Sequence, residues 1–137
     1  MTVDVRAQSS RTISTRLRSD LITHLPQLRR VLLEQRQFRI DQVRELVDEA
    51  ATTAVAIGAG EPEPVDASAD SARTEVSMVI AAAARRALDD IEAALDRIAG
   101  GTFGYCEDCD DPIPLDRILA LPQAGMCMKC QRRAERR

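Results

Sequence analysis

GYCEDC at residues 104–109 is answered by MCMKC at residues 126–130, and these two runs hold all four cysteines of the chain. Two residues separate the cysteines within each pair, and seventeen separate the pairs. Each Cys-x-x-Cys turn places two sulfurs on one ion at about 2.3 Å, and two such turns complete a tetrahedron. That spacing points to one zinc held by Cys106, Cys109, Cys127 and Cys130. Four protein thiolates leave no position open for water, so the ion is structural. Redox or disulfide use of the same cysteines is the weaker reading. Redox Cys-x-x-Cys motifs seldom come as two spaced pairs without a thioredoxin-like βαβ pattern.

Around the knuckles the sequence supplies a miniature core. Phe103 and Tyr105 are placed to cover the metal and the base of the preceding helix. Asp111, Pro112, Ile113 and Pro114 make a rigid turn, and Ile113, Leu115, Ile118, Leu119 and Leu121 add apolar bulk. This is too little apolar material to fold without the ion. The tail QRRAERR, residues 131–137, reads as a terminal helix. Its basic end is read as compensating the helix dipole rather than as a phosphate contact.

Upstream, alanine and aliphatic residues recur at helical spacing. From about Arg11 to His24 a short helix is expected, on Ile13, Leu17, Leu21 and Leu25. Pro26 interrupts it and is read as opening a second helix that runs to about Ile57. Ile40, Val43, Val47, Ala50, Ala54 and Ile57 form a heptad seam along the distal half. GAGEPEP at residues 58–64 then stops that helix, since Gly ends helices and Pro cannot continue them. A third helix is expected from Asp66 or Ser68, both good N-caps, to Ala99. Its seam is Ile80, Ala84, Ala87, Ile91, Ala94 and Ile98. Two heptad helices joined by a short turn fold back as an antiparallel coiled-coil hairpin. The register pairs Val47 with Ile80, Val43 with Ala84 and Ile40 with Ala87, and an intermolecular coiled coil is the weaker reading.

The fold expected is therefore mainly α. Residues 1–25 form a partly disordered extension with a short helix. Residues 26–99 form the hairpin, with an acidic tip near 58–70, and residues 100–137 form a zinc-ribbon-like finger and a short C-terminal helix. A monomer is expected.

Composition agrees. The chain has 137 residues, one Tyr, two Phe and no Trp, so a large aromatic core is excluded. No run of about eighteen apolar residues is present for a membrane span. The first eighteen residues hold no apolar stretch of signal-peptide length, which gives cytoplasm as the expected compartment. The net charge of −3 hides a polarity along the chain. Residues 1–39 carry eight Arg against three acids, a net +5, and residues 40–72 carry eight acids against Arg44 alone, a net −7. An intrinsic enzyme is not expected. The single histidine, His24, sits on a leucine-rich helix with no nucleophile near it in sequence, and the thiols are taken by metal. No basic, aromatic-rich face suggests sequence-specific DNA binding.

The run GTFGYCEDCDDPIPLDRILALPQAGMCMKCQ, residues 101–131, resembles the zinc finger of the DksA/TraR family. The shared features are the Gly-x-aromatic-Gly-aromatic-Cys approach, the Ile-Pro after the first knuckle, the Arg-Ile-Leu helix start, the Leu-Pro and the closing Cys-x-x-Cys-Gln. The helix, acidic turn and helix upstream are similar too, so the resemblance covers roughly residues 26–133. It implies a transcription regulator that binds RNA polymerase directly. The hairpin would enter the secondary channel and bring tip acids near the catalytic magnesium, modulating promoter-complex stability. The alarmone ppGpp, with which the best-known member often acts, is the implied co-effector. The family tip reads Asp-x-x-Asp-x-Ala. Here Glu63, Asp66 and Ser68 occupy those positions, or, in a second alignment, Asp70 supplies the Asp of the Asp-x-Ala. Two other functions are open. One is a zinc-finger adaptor recruiting another protein or a ribosomal component. The other is a Gre-like transcript-cleavage factor, which needs paired tip acids, whereas Pro62 separates Glu61 from Glu63.

Overall fold

Alanine, leucine and isoleucine at three- and four-residue spacing give long helices, and the structure, a computed structural model, is built from them. It describes residues 5–58 and 64–137. In chain order these form α1 (Val5–Gly58), α2 (Pro64–Gly100), α3 (Leu115–Ala120) and α4 (Met128–Glu135). Among the described residues there is no strand, only one isolated antiparallel bridge between Tyr105 and Pro112. The mainly α hairpin followed by a small finger is thus as expected from the sequence.

One expectation fails at Pro26. No helix ends there, because α1 runs unbroken through it. Proline inside a helix removes one backbone bond and crowds the preceding turn, at a cost of about 3 kcal/mol. Here Pro26 faces solvent, while Leu28 and Leu32 are buried and Leu21 and Leu25 are packed against the same core. Apolar anchors on both sides of the proline hold the helix together, so tertiary packing overrides the local preference.

The chain divides into two units, residues 1–33 with 90–137, and residues 34–89. The first holds the main apolar core. Leu28 and Leu32 of α1 and Ile91 and Ala94 of α2 cluster with Phe103, Ile113 and Ile118, and the buried Cys106 and Cys130 belong to the same cluster. Phe103 therefore does what its sequence position suggested. Leu119 and Leu121, expected in this core, are instead exposed. On the six-residue α3, Ile118 takes the buried face and Leu119 follows on the other.

The second unit has a seam of a different character. Ala81 and Ala84 are buried, and Asp70, Thr74, Ser77 and Leu88 are half-buried beside them. On α1 the half-buried positions include Gln35, Arg39, Gln42, Leu46, Ala50 and Thr53. Val47 and Ile80, expected to meet across the seam, are 44% and 42% exposed. The seam passes through Leu46 and Ala81, one residue aside. The reason is continuity along each helix. Leu25, Leu28, Leu32, Gln35, Arg39, Gln42 and Leu46 keep strict steps of three and four, as do Ile98, Leu95, Ile91, Leu88, Ala84, Ala81, Ser77, Thr74 and Asp70. Val47 and Ile80 lie out of that phase.

Candidate metal centre

The finger begins where α2 ends. The Gly101 N–H donates to the Ile98 carbonyl at 3.3 Å and the Thr102 N–H to the Arg97 carbonyl at 3.0 Å, a Schellman closure. Gly101 has φ +77°, the left-handed conformation this closure requires. Gly104 lies at φ +92°, and a Cβ there would run into the Leu21 side chain of α1. The motif glycine is thus what lets the first knuckle approach the helix.

Backbone bonds then shape the two knuckles. The Cys106 N–H donates to the Asp111 carbonyl at 2.8 Å, and the Asp110 N–H returns to the Cys106 carbonyl at 2.9 Å. The Glu107 N–H reaches the Gly125 carbonyl at 2.9 Å, tying the first knuckle to the second. The Cys127 N–H points at the Cys106 sulfur at 3.4 Å. Cys127 leads into α4, so Cys130 lies in the first turn of that helix.

The four Sγ atoms lie within 4.8 Å of one another, and those of Cys109 and Cys127 are 3.9 Å apart. A tetrahedron with zinc–sulfur bonds of about 2.3 Å has edges of about 3.8 Å, so the geometry fits zinc. The electrostatics fit as well. Burial pushes the Cys106 thiol up, but backbone N–H groups of Cys127, Cys109 and Asp108 outweigh that and bring its pKa to about 6. Cys130 is pushed far up, by burial first and then by the neighbouring thiol of Cys127. One thiolate forms readily and the next is opposed, a conflict that a bound dication removes. Cys106 and Cys130 are buried, Cys127 is half-buried and Cys109 faces solvent. When bound, the zinc cross-links the knuckles and supplies folding free energy.

Two ion pairs outside the ligand set were missed in the sequence reading. Arg133 of α4 pairs with Asp108 of the first knuckle, and its Nη2 also lies 3.6 Å from the Cys130 sulfur. The hydrogen bond from Arg133 holds the Asp108 carboxyl below the usual carboxylate range. The tail arginine therefore does more than compensate a dipole. The available signal was its place three residues after Cys130, one helical turn on. Arg97 near the end of α2 pairs with Glu107 at 3.0 Å, fastening that helix to the first knuckle.

Of the tip residues, only Ser68 and Asp70 have described side chains, and neither belongs to such a cluster. Glu63 lies outside the described residues. Asp66 falls in the first turn of α2, which starts at Pro64 rather than at Asp66 or Ser68. Proline at the first helical position explains the earlier start, and it places Asp66 and Ser68 inside the helix instead of at its cap. Ser68 is exposed. Asp70 is half-buried, and its carbonyl accepts from Thr74 Oγ1 at 2.9 Å. His24 donates from Nδ1 to the Asp20 carbonyl at 2.8 Å, a local helix bond.

Residues 101–136 match the prokaryotic DksA/TraR C4-type zinc finger. The finger is thus of the DksA/TraR C4 type. It is 32% identical over 95 residues to the Escherichia coli protein named RNA polymerase-binding transcription factor DksA, covering 69% of this chain and 63% of that one. A Caulobacter vibrioides protein of the same name is 43% identical over 53 residues, covering 39% of this chain and 37% of its own length. Thus the chain matches less than two thirds of the length of these curated relatives. The solved structure of transcription factor DksA2 from Pseudomonas aeruginosa superimposes with TM-score 0.70 at 25% identity, over 83% of this chain and 84% of that one. The DksA likeness therefore extends beyond the finger to the helical hairpin.

Proposed function

We propose that this chain is a DksA/TraR-family transcription regulator that binds RNA polymerase directly. The observation that carries this reading is a four-cysteine finger built directly onto a two-helix hairpin, in the arrangement of a DksA-type fold. The name of the aligned E. coli relative supplies the partner. In this reading the hairpin tip enters the secondary channel, and Glu63 and Asp66, with Asp70 in reserve, act near the active site. Carboxylates suit a site containing metal ions and basic groups. The protein works in the cytoplasm and has no catalytic activity of its own. No helix among the described residues is long and apolar enough to cross a membrane.

Binding and effect should separate. Contact area comes from the hairpin flanks and finger, whereas regulation comes from a few acids. The double change Glu63→Gln and Asp66→Asn keeps side-chain size. Because Asp66 lies inside α2, no cap is lost. The expected result is polymerase affinity within about tenfold of the parent, roughly 1.4 kcal/mol, with loss of any effect on promoter-complex lifetime. The lifetime assay is run with and without ppGpp, and a Gre factor added as competitor should displace the protein. A chain that binds no polymerase, or binds without competing, would instead be an adaptor.

A further inference from the structure

In the unit formed by residues 34–89 the fully buried apolar side chains are alanines, Ile40, Val43, Leu46 and Leu88 are half-buried, and several large apolar ones are exposed. Its buried positions include Ala81 and Ala84, while Val76 is 58% and Val79 is 68% exposed. Val76, Ile80, Ala83 and Ala87 follow Arg73 at steps of three and four, so they form one ridge along α2. Arg73 lines a groove of about 590 Å³ together with Glu45, Asp48 and Glu49 of α1. The ridge therefore runs beside an acidic row, which Asp41 continues four residues earlier on the same face of α1.

An apolar ridge beside acids, along the groove between two helices, matches a third helix in chemistry and shape. We infer that this face docks an amphipathic helix of the partner, one carrying an apolar ridge flanked by Lys or Arg. A second copy of the chain is disfavoured, because an isologous contact would bring the same acidic row into the interface twice. Nucleic acid is disfavoured by the same charge. The inference rests on the polymerase reading, in which the helix is an element of RNA polymerase.

The test uses the full zinc-loaded chain and purified RNA polymerase. Val76→Lys with Ile80→Lys should weaken binding at least about tenfold, since the change removes apolar contact and repels the basic flank. Both positions are exposed, so helix content and melting should match the parent. If the double Lys variant loses its fold, Val76→Ala with Ile80→Ala replaces it, with the loss expected to reach about fivefold. Met78 is also exposed but lies about 200° round the helix, so Met78→Lys should change affinity less than about twofold. Glu45→Lys with Glu49→Lys should weaken binding and flatten its dependence on salt. Equal binding by the parent and the ridge variant overturns the inference while leaving the polymerase reading intact, as does an equal loss from Met78→Lys. If the parent itself does not bind, the polymerase reading fails and this inference falls with it.

Discussion

Arg133 is a surface side chain with two attachments, to Asp108 in one knuckle and to the Cys130 sulfur in the other. It spans the metal centre from outside. The lowered Asp108 pKa fixes the sign of its pH dependence. A depressed carboxylate stabilises the fold fully above its unfolded pKa of about 3.9, and that contribution is lost as pH falls through the lower folded value. At neutral pH the clasp is closed. Outer-shell partners of metal ligands typically change metal affinity by about 10–100-fold. Replacing Arg133 with Gln should therefore speed zinc transfer to a chromophoric chelator about tenfold at pH 7. Arg133→Lys, which keeps charge but loses the fork, should fall between. Equal release rates for all three proteins would show that the pair is ornamental to the site.

At the scale of elements, α1 tests how far packing overrides sequence. Pro26 sits inside it, exposed, between Leu25 and Leu28. Had a helix begun at Pro26, exchanging it for alanine would do little. In a continuous helix, the same exchange restores one backbone bond and relieves the crowding of the preceding turn. Pro26→Ala should therefore raise unfolding free energy by as much as about 3 kcal/mol, read from urea denaturation. No gain, or a loss, would mean that the proline opens a helix after all. The seam makes the complementary point. Its phase is carried by Leu25, Leu28 and Leu32 at one end and Ile98, Leu95 and Ile91 at the other, and the distal half follows although Val47, Val76, Val79 and Ile80 are then left outside.

For the molecule as a whole, the important fact is where apolar burial is concentrated. Cys106 and Cys130 lie in one cluster with Leu28, Leu32, Ile91 and Phe103. The metal therefore supports the hairpin base as well as the finger. Removing zinc with a chelator should abolish the ordered signals of Phe103 and Ile118. It should also lower helical circular dichroism in part, as α1 and α2 lose partners at that core, and re-addition of zinc should restore both. Complete retention of the helical signal would show the hairpin to be independent of the ion.

Local chemistry made much of this legible in the sequence. A four-thiolate ligand set is recognisable because metal coordination fixes spacing as well as residue type. The turn after α1 is recognisable because Gly and Pro act on their own backbone. Gly104 was visible as part of a motif, but only its approach to Leu21, far away in sequence, explains it. The continuity of α1 through Pro26, the choice of Leu46 and Ala81 over Val47 and Ile80, and the Arg133–Asp108 clasp were decided in three dimensions. Each depends on which distant side chains can be satisfied together, and helical periodicity alone leaves adjacent phases too close in energy for one segment to choose between them.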